Sequence, residues 1–427
     1  MANYPSTTGA FPTSGNNALN TAIQSEMLKV EAELSTYFTS MTANMSKFTE
    51  GDSVPAGVVM RVDNEFANGG DEVRIPYVLK LLEEPTYGDG QGEGNEEDQR
   101  LRYFPVKLNQ IKHQVKSSGR TARRRIKNLN PFKAARPQLA QWFATEIDFE
   151  HMRALARGWS NNLLAATASG GLAVNSSTQV SHPNMFVAGL PSSSSYCDAT
   201  YEGMVAWNGT AATYESYVAA AVNELPTDTS GWMSLQLMDS LIPFLPVLEL
   251  EPIKGMKVNG NDMYVFLMHP NAWEQLRMVN SDLYKLLQYV DMGKGDQNRI
   301  LSGKRLVYRN FILEVNQNVP GCTSTGSAIT YGLASSRTRD TYAAKLSFIL
   351  GQGALAYANG EGLRYETRDI DYKSFEGVQA HQICGVQRVD WKRDDNTSNS
   401  SRVGVNVSSA AIVTYSPTLA VTSGPRS

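Results

Sequence analysis

Cysteine is scarce in this chain. Cys197, Cys322 and Cys384 are the only three, an odd number with no CxxC spacing. They exclude a disulfide framework and a cysteine-rich zinc site, and they fit a reducing cytoplasm. Histidine is nearly as rare: His113, His151, His182, His269 and His381 are scattered, without HxH or HExxH. The linear pattern therefore offers no metal centre. No GxSxG elbow and no convergent acid pair occurs, so catalysis finds no foothold and no cofactor is expected. Long apolar runs are missing as well. The most apolar stretch, LMDSLIPFLPVLELEPI at 237–253, is broken by Asp239, Pro243, Pro246, Glu249 and Glu251, which rules it out as a membrane span. The opening MANYPSTTGAFPTSGNN has neither the basic start nor the apolar core of a signal peptide. With 39 basic and 42 acidic residues the formal charge is −3, so no global basic excess marks a nucleic-acid binder. At 427 residues the chain is long enough for two or three subdomains.

What the chain does have is charge sorted into two neighbouring blocks. Residues 83–98, EEPTYGDGQGEGNEED, carry Glu83, Glu84, Asp89, Glu93, Glu96, Glu97 and Asp98. No acid then appears until Glu146, while Arg120, Arg123, Arg124, Arg125, Lys127, Lys133 and Arg136 accumulate. A solvated face is the plain reading of such a run. Phosphate contact by 120–136 is a second reading, but no aromatic residue falls between Gly119 and Pro131 to stack on bases. The third reading pairs the blocks. EVRIPYVLKLL at 72–82 alternates like a strand with one buried face, and QRLRYFPVKLNQIKHQVK at 99–116 reads as its partner. The acids then sit at the tip of a hairpin about 35 Å long, too far from the basic base to touch it within one molecule. Such a ribbon is marginal alone in water and needs support. Contact between copies, tip to base, is head-to-tail and builds rings or lattices.

Around this hairpin the organisation is legible in outline. After a Ser/Thr/Gly/Pro-rich start, Ile23, Met27, Val30, Leu34, Tyr37 and Met41 mark an apolar helical seam, either core-packed or docked on another subunit. Asn130-Pro131 opens a long helix ending at Gly158, with Pro137 as a kink or an alternative start. Residues 160–230 read as a loop-heavy insertion. A helix near 231–243, the strand MYVFLM, a helix from Pro270 to about Val279 with His269 placed to cap it, and a shorter helix near 282–289 follow. Two strands come next, then a strand-rich 345–392 and, from Asn396, an extended tail with at most an edge strand. GQGALA at 351–356 matches the GxGxxA dinucleotide pattern, but Tyr357, Gly360, Gly362 and Tyr365 follow where that motif needs a helix.

In order and character these stretches resemble the major capsid proteins of tailed bacteriophages, the Hong Kong 97 type of α+β fold, in the branch of phage N-four. The carrying stretches are GGDEVRIPYVLKLL, VKLNQIKHQVKSSGR, ARPQLAQWFATEIDFEHMRALARG, YVFLMHPNAWEQLR, RNFILEV, FILGQGALAYANGEG and FEGVQAHQICGVQRVDW. The resemblance implies an N-terminal arm over 1–55 and an extended loop over 56–118 with its acidic tip. It implies a peripheral domain over 119–245, with its spine helix at 131–158 and the insertion at 160–230. An axial domain over 246–344, a return to the peripheral sheet over 345–395 and a tail over 396–427 complete it. It further implies a non-enzymatic shell subunit of the virion that assembles with itself into pentamers and hexamers. The expected partners are portal, scaffold and decoration proteins and packaged double-stranded DNA touched weakly on the inner face, with no membrane.

Overall fold

The computed structural model describes residues 24–32, 36–44, 57–63, 72–78, 101–116, 131–158, 182, 184–198, 202–206, 211–245, 253–258, 261–279, 306–325, 328–331, 342–370, 375–391, 405–406 and 408–416. Along the chain these form α1 (24–32), a 3-10 turn (Tyr37–Met41), β1 (Thr42–Asn44), β2 (Val59–Asp63), β3 (Glu72–Val78), β4 (Leu101–Lys107), β5 (Asn109–Lys116) and α2 (Pro131–Arg157). The middle holds β6 (Met185–Val187), α3 (Ala211–Asn223), α4 (Leu235–Leu241), β7 (Met256–Val258), β8 (Asn261–Met268) and α5 (Pro270–Val279). Then come β9 (Leu306–Tyr308), β10 (Phe311–Val315), β11 (Gly321–Thr325), β12 (Ala328–Tyr331) and β13 (Ala344–Leu350). The last strands are β14 (Leu355–Ile370), β15 (Phe375–Arg388), β16 (Asp390–Trp391), β17 (Val405–Asn406) and β18 (Ser409–Tyr415).

A five-stranded sheet runs in the order β1-β2-β14-β15-β5. Its long antiparallel centre, β14 with β15, presents Leu363, Tyr365, Val378 and Ala380 on one face to Leu139, Ala140 and Phe143 of α2. Each fully buried large apolar side chain there contributes about 1.5–3 kcal/mol. The 3–4 spacing along α2 aims Ala135, Leu139, Phe143, Met152 and Leu155 inward over its whole length. The helix starts at Pro131 and passes through Pro137, whose ring lies on the exposed side. It ends where Gly158, at φ 91°, closes the last turn with its N–H on the Ala154 carbonyl at 2.8 Å.

The opposite face of this sheet carries the root of the hairpin. β3 and β4 pair antiparallel from Glu72↔Lys107 to Val78↔Leu101. Their alternation turns Val73, Ile75, Phe104 and Val106 onto Met60, Ala356, Ala358 and Val389. Two expectations change here. The strand expected over 99–116 breaks at Leu108, beyond which β5 leaves the hairpin and pairs with β15. The ribbon's root rests on its own chain and does not depend on another copy, because the inward residues of both strands are apolar. Gly385 permits the crossing: a Cβ there would lie 2.0 Å from the Lys107 carbonyl oxygen.

The second sheet has nine strands centred on β13, which pairs along its length with β18 and, on its other side, with β11 and β8. β6 extends the sheet beyond β18, and β10 runs parallel to β8 with β9 at the edge. Both faces are covered. Leu346, Phe348 and Val413 enter one apolar cluster with α3 residues, whereas Ile349 and Ile412 enter another with α4 and α5 residues. The insertion expected over 160–230 is therefore a core contributor from Met185 onward, supplying β6 and α3, of which Ala219 and Ala221 are fully buried. The expected tail is corrected too: β18 is an interior strand, since Ala410 to Val413 are buried on both sides.

The α1 seam is rotated from expectation. Leu28 and Ala32 face inward, while Met27 and Val30 are 44% and 51% exposed. Ile23 and Leu34 lie outside the described residues. His269 caps α5 as expected, accepting the Asn271 N–H at 3.1 Å through Nδ1. GQGALA leads into strand β14, and Gly351 is there because a Cβ would come within 2.4 Å of the Lys254 carbonyl oxygen.

Candidate assembly surface

Of the charged residues singled out in sequence, Glu83, Glu84, Asp89, Glu93, Glu96, Glu97, Asp98, Arg120, Arg123, Arg124, Arg125 and Lys127 lie outside the described residues. Lys133 falls in the first turn of α2, with its side chain likewise outside them. Arg136 is described. Its guanidinium donates to Glu31 at 3.0 Å and to Gln24 Oε1 at 2.9 Å, so it ties α1 to α2 within the chain. The hairpin's outward face carries Arg74, Tyr103 and Pro105, all exposed, with Arg74 paired to Glu72 at 2.7 Å. Together with Met27 and Val30 of α1, Tyr103 gives the described surface three of its exposed large apolar side chains. Sequence reasoning passed over Tyr103, although its alternation with Phe104 carried the signal.

The segment after α1 is clamped to α2 from several sides. Asp148 accepts the backbone N–H groups of Tyr37 at 3.0 Å and Phe38 at 3.4 Å. Burial outweighs these two bonds and pushes its carboxyl up to about 6. Phe38 stacks on His151 with ring centres 4.7 Å apart, and the Tyr37 hydroxyl donates to Glu314 at 2.7 Å. Burial lowers His151 to about 4, so its imidazole is neutral at pH 7. One helical turn on, Arg153 is buried between Glu146 at 2.8 Å and Glu150 at 2.5 Å. Removing one member of such a buried set costs about 3–5 kcal/mol, more than the set adds over an apolar replacement.

None of this is arranged for bond-making. All three cysteines are buried, and desolvation pushes the Cys384 thiol up to about 12, far from a reactive thiolate. Among the described residues no His, Cys, Asp and Glu group could hold a metal, and no helix is long and apolar enough to cross a membrane. A rigid two-sheet body, a long helix that anchors an N-terminal segment, and a ribbon rooted on one face define a structural building block.

Comparison with known proteins names the block. The phage capsid protein family matches residues 16–418, and the chain belongs to it. The fold is shared with the capsid protein of Ralstonia phage GP4, at 20% identity over 89% of this chain and 91% of that one, TM-score 0.57. The capsid of cyanophage Pam1 aligns over 98% of this chain and 100% of that one, at 15% identity and TM-score 0.59. The capsid of Helicobacter pylori bacteriophage KHP30 aligns over 89% and 91%, at 12% identity and TM-score 0.55. None of the curated proteins matches the chain. The protein is thus a tailed-phage major capsid protein of the Hong Kong 97 type, non-enzymatic, whose copies form the icosahedral shell of the virion.

Proposed function

We propose that the copies are set in register by their sorted charge. The acidic tip of one subunit, Glu83 to Asp98, meets the basic segment Arg120 to Lys133 of the next, head-to-tail, while Arg136 at the segment's end is held by Glu31 of its own chain. What carries this reading is the rooting of the hairpin. Val73, Ile75, Phe104 and Val106 fix its base on the five-stranded sheet, while the seven acids belong to the 79–100 connection that joins its strands. Each exposed ion pair contributes only about 0–1 kcal/mol, so the pairs choose register and partner while apolar burial supplies affinity. Weak repeated contacts also let a growing shell correct errors before it closes.

The five-stranded sheet with α2 corresponds in this reading to the peripheral domain, the 246–344 region to the axial domain and 1–55 to the arm. The chain stands in the N-four branch. Portal, scaffold and decoration proteins complete the particle, and packaged double-stranded DNA touches its inner face weakly. The test is charge reversal at the tip. Glu96→Lys, Glu97→Lys and Asp98→Lys together should abolish shells while circular dichroism stays that of the folded chain. Adding Arg123→Glu, Arg124→Glu and Arg125→Glu should restore them. Normal shells from the tip variant, seen by electron microscopy, would remove the tip-to-base contact while leaving the capsid assignment intact.

A further inference from the structure

The β3–β4 ribbon has two strands and two outer edges, and among the described residues no third strand pairs with either. Such an edge presents a row of N–H and C=O groups that can take up a strand from another molecule. The hazard is large in a shell subunit, because every copy carries the same ribbon. One copy's β3 edge laid against the next copy's β4 edge is a head-to-tail contact that propagates without closing. The sequences EVRIPYV and LRYFPVK, rich in β-branched and aromatic residues, suit such pairing.

The register shows what stands against it. β3 and β4 each hold one proline, Pro76 and Pro105, the fifth of seven residues in both strands. No other strand of the described residues contains proline. Pro76 lies opposite Tyr103, and Pro105 opposite Arg74. Antiparallel rows alternate between hydrogen-bonded and non-hydrogen-bonded, so these two rows, two positions apart, are of one kind. A hydrogen-bonded row draws an N–H from each member, which proline lacks. The bonded rows are therefore Val73↔Val106, Ile75↔Phe104 and Tyr77↔Arg102, and the ribbon's own ladder loses nothing. In the remaining rows the backbone groups point outward. β3 turns those of Glu72, Arg74, Pro76 and Val78 to its edge, and β4 turns those of Leu101, Tyr103, Pro105 and Lys107 to the other. Each edge thus lacks an inner donor and carries a ring carbon where a hydrogen would be.

We propose that Pro76 and Pro105 close both edges of the ribbon against strand addition by other copies of this chain. Neighbours in the shell then meet the ribbon through side chains, never by extending its ladder. Main-chain bonding is indifferent to sequence and can slip in register, whereas side-chain contacts choose one partner in one position. The closure does not depend on where the acidic tip lands, and failure of either idea leaves the other standing.

The test restores the donors in the full-length chain. Pro76→Val with Pro105→Val returns both N–H groups on strand-forming residues. Pro76→Lys with Pro105→Lys returns them beside a charge that itself resists edge pairing. Products are separated by sedimentation, imaged by electron microscopy and examined by fibre diffraction. The valine pair should lose most of its shells to extended aggregates with the ~4.7–4.8 Å repeat of paired strands. The lysine pair should form shells as the wild type does. Valine-pair products without that repeat, whether shells or amorphous material, would overturn the proposal. Equal loss of shells in both pairs would also overturn it, assigning the prolines to the ribbon's own conformation.

Discussion

In the five-stranded sheet the edge strand β5 alternates, with Ile111, His113 and Val115 half-buried and Gln110, Lys112, Gln114 and Lys116 exposed. In the nine-stranded sheet β13 is buried at every position, Lys345 and Ser347 included, and β18 at all but its last. The first sheet has α2 on one side and, away from the hairpin root, water on the other. The second is packed on both sides by helices. A sheet with a wet face holds register through alternation and keeps surface free for neighbours. A sheet with two dry faces is committed inside its own subunit, where every buried polar atom needs a partner.

Five substitutions break or sharpen this contrast. Phe348→Ala, in the doubly covered sheet, should cost about 3–5 kcal/mol in urea unfolding, whereas Val115→Ala at the wet edge should cost about 1 kcal/mol. Similar losses at both sites would erase the distinction. Asp148→Asn acts where the N-terminal segment meets α2 behind the wet sheet. Asp148, raised from 3.8 to about 6, contributes stability below pH 4 that disappears as pH rises through 6. His151, lowered from 6.5 to about 4, contributes stability above pH 6.5 that disappears as pH falls through 4. The two nearly cancel. Without Asp148 the His151 slope is exposed, and Asp148→Asn should lose about 3 kcal/mol relative to wild type between pH 6.5 and pH 4. Parallel pH profiles of the two proteins' urea midpoints would contradict this. The last comparison is between two glycines of the wet sheet, one of which shows the smallest effect of all. Gly385→Ala, whose Cβ meets the Lys107 carbonyl oxygen at 2.0 Å, should cost about 1–3 kcal/mol. Gly362→Ala, with nothing within 4 Å, should stay within about 0.5 kcal/mol. Thermal melts of the pair measure the difference.

Much of this was legible in the chain. The hairpin strands, the long helix with its Gly158 stop, the His269 cap and the strand after GQGALA all follow local rules of period, capping and turn chemistry. The errors came where long-range packing decides. Nothing local in SAAIVTY at 409–415 distinguishes an edge strand from an interior one, since only β13 and β6, far away in sequence, bury it. The Ser- and Ala-rich composition of 160–230 looked like loop because small residues signal tight packing only once their neighbours are known. Met27 and Val30 fit a helical seam as well as Leu28 and Ala32 do, and the choice between two adjoining stripes was made by α2 and β14. Of the assembly surface, the charge blocks were plain in the sequence. Arg136 was visible as a cation, but its commitment to Glu31 required the fold.

The late place of β18 has a consequence for synthesis. β13 leaves the ribosome with one long flank unfilled, because the strand that zips onto it lies about 60 residues further on. At about 5–20 residues per second that flank stays bare for ~3–12 s. During this interval the nascent protein holds an adhesive, half-built layer, and only a chain read through to Tyr415 can seal it. A subunit therefore acquires its complete nine-stranded sheet only once β18 itself has been made.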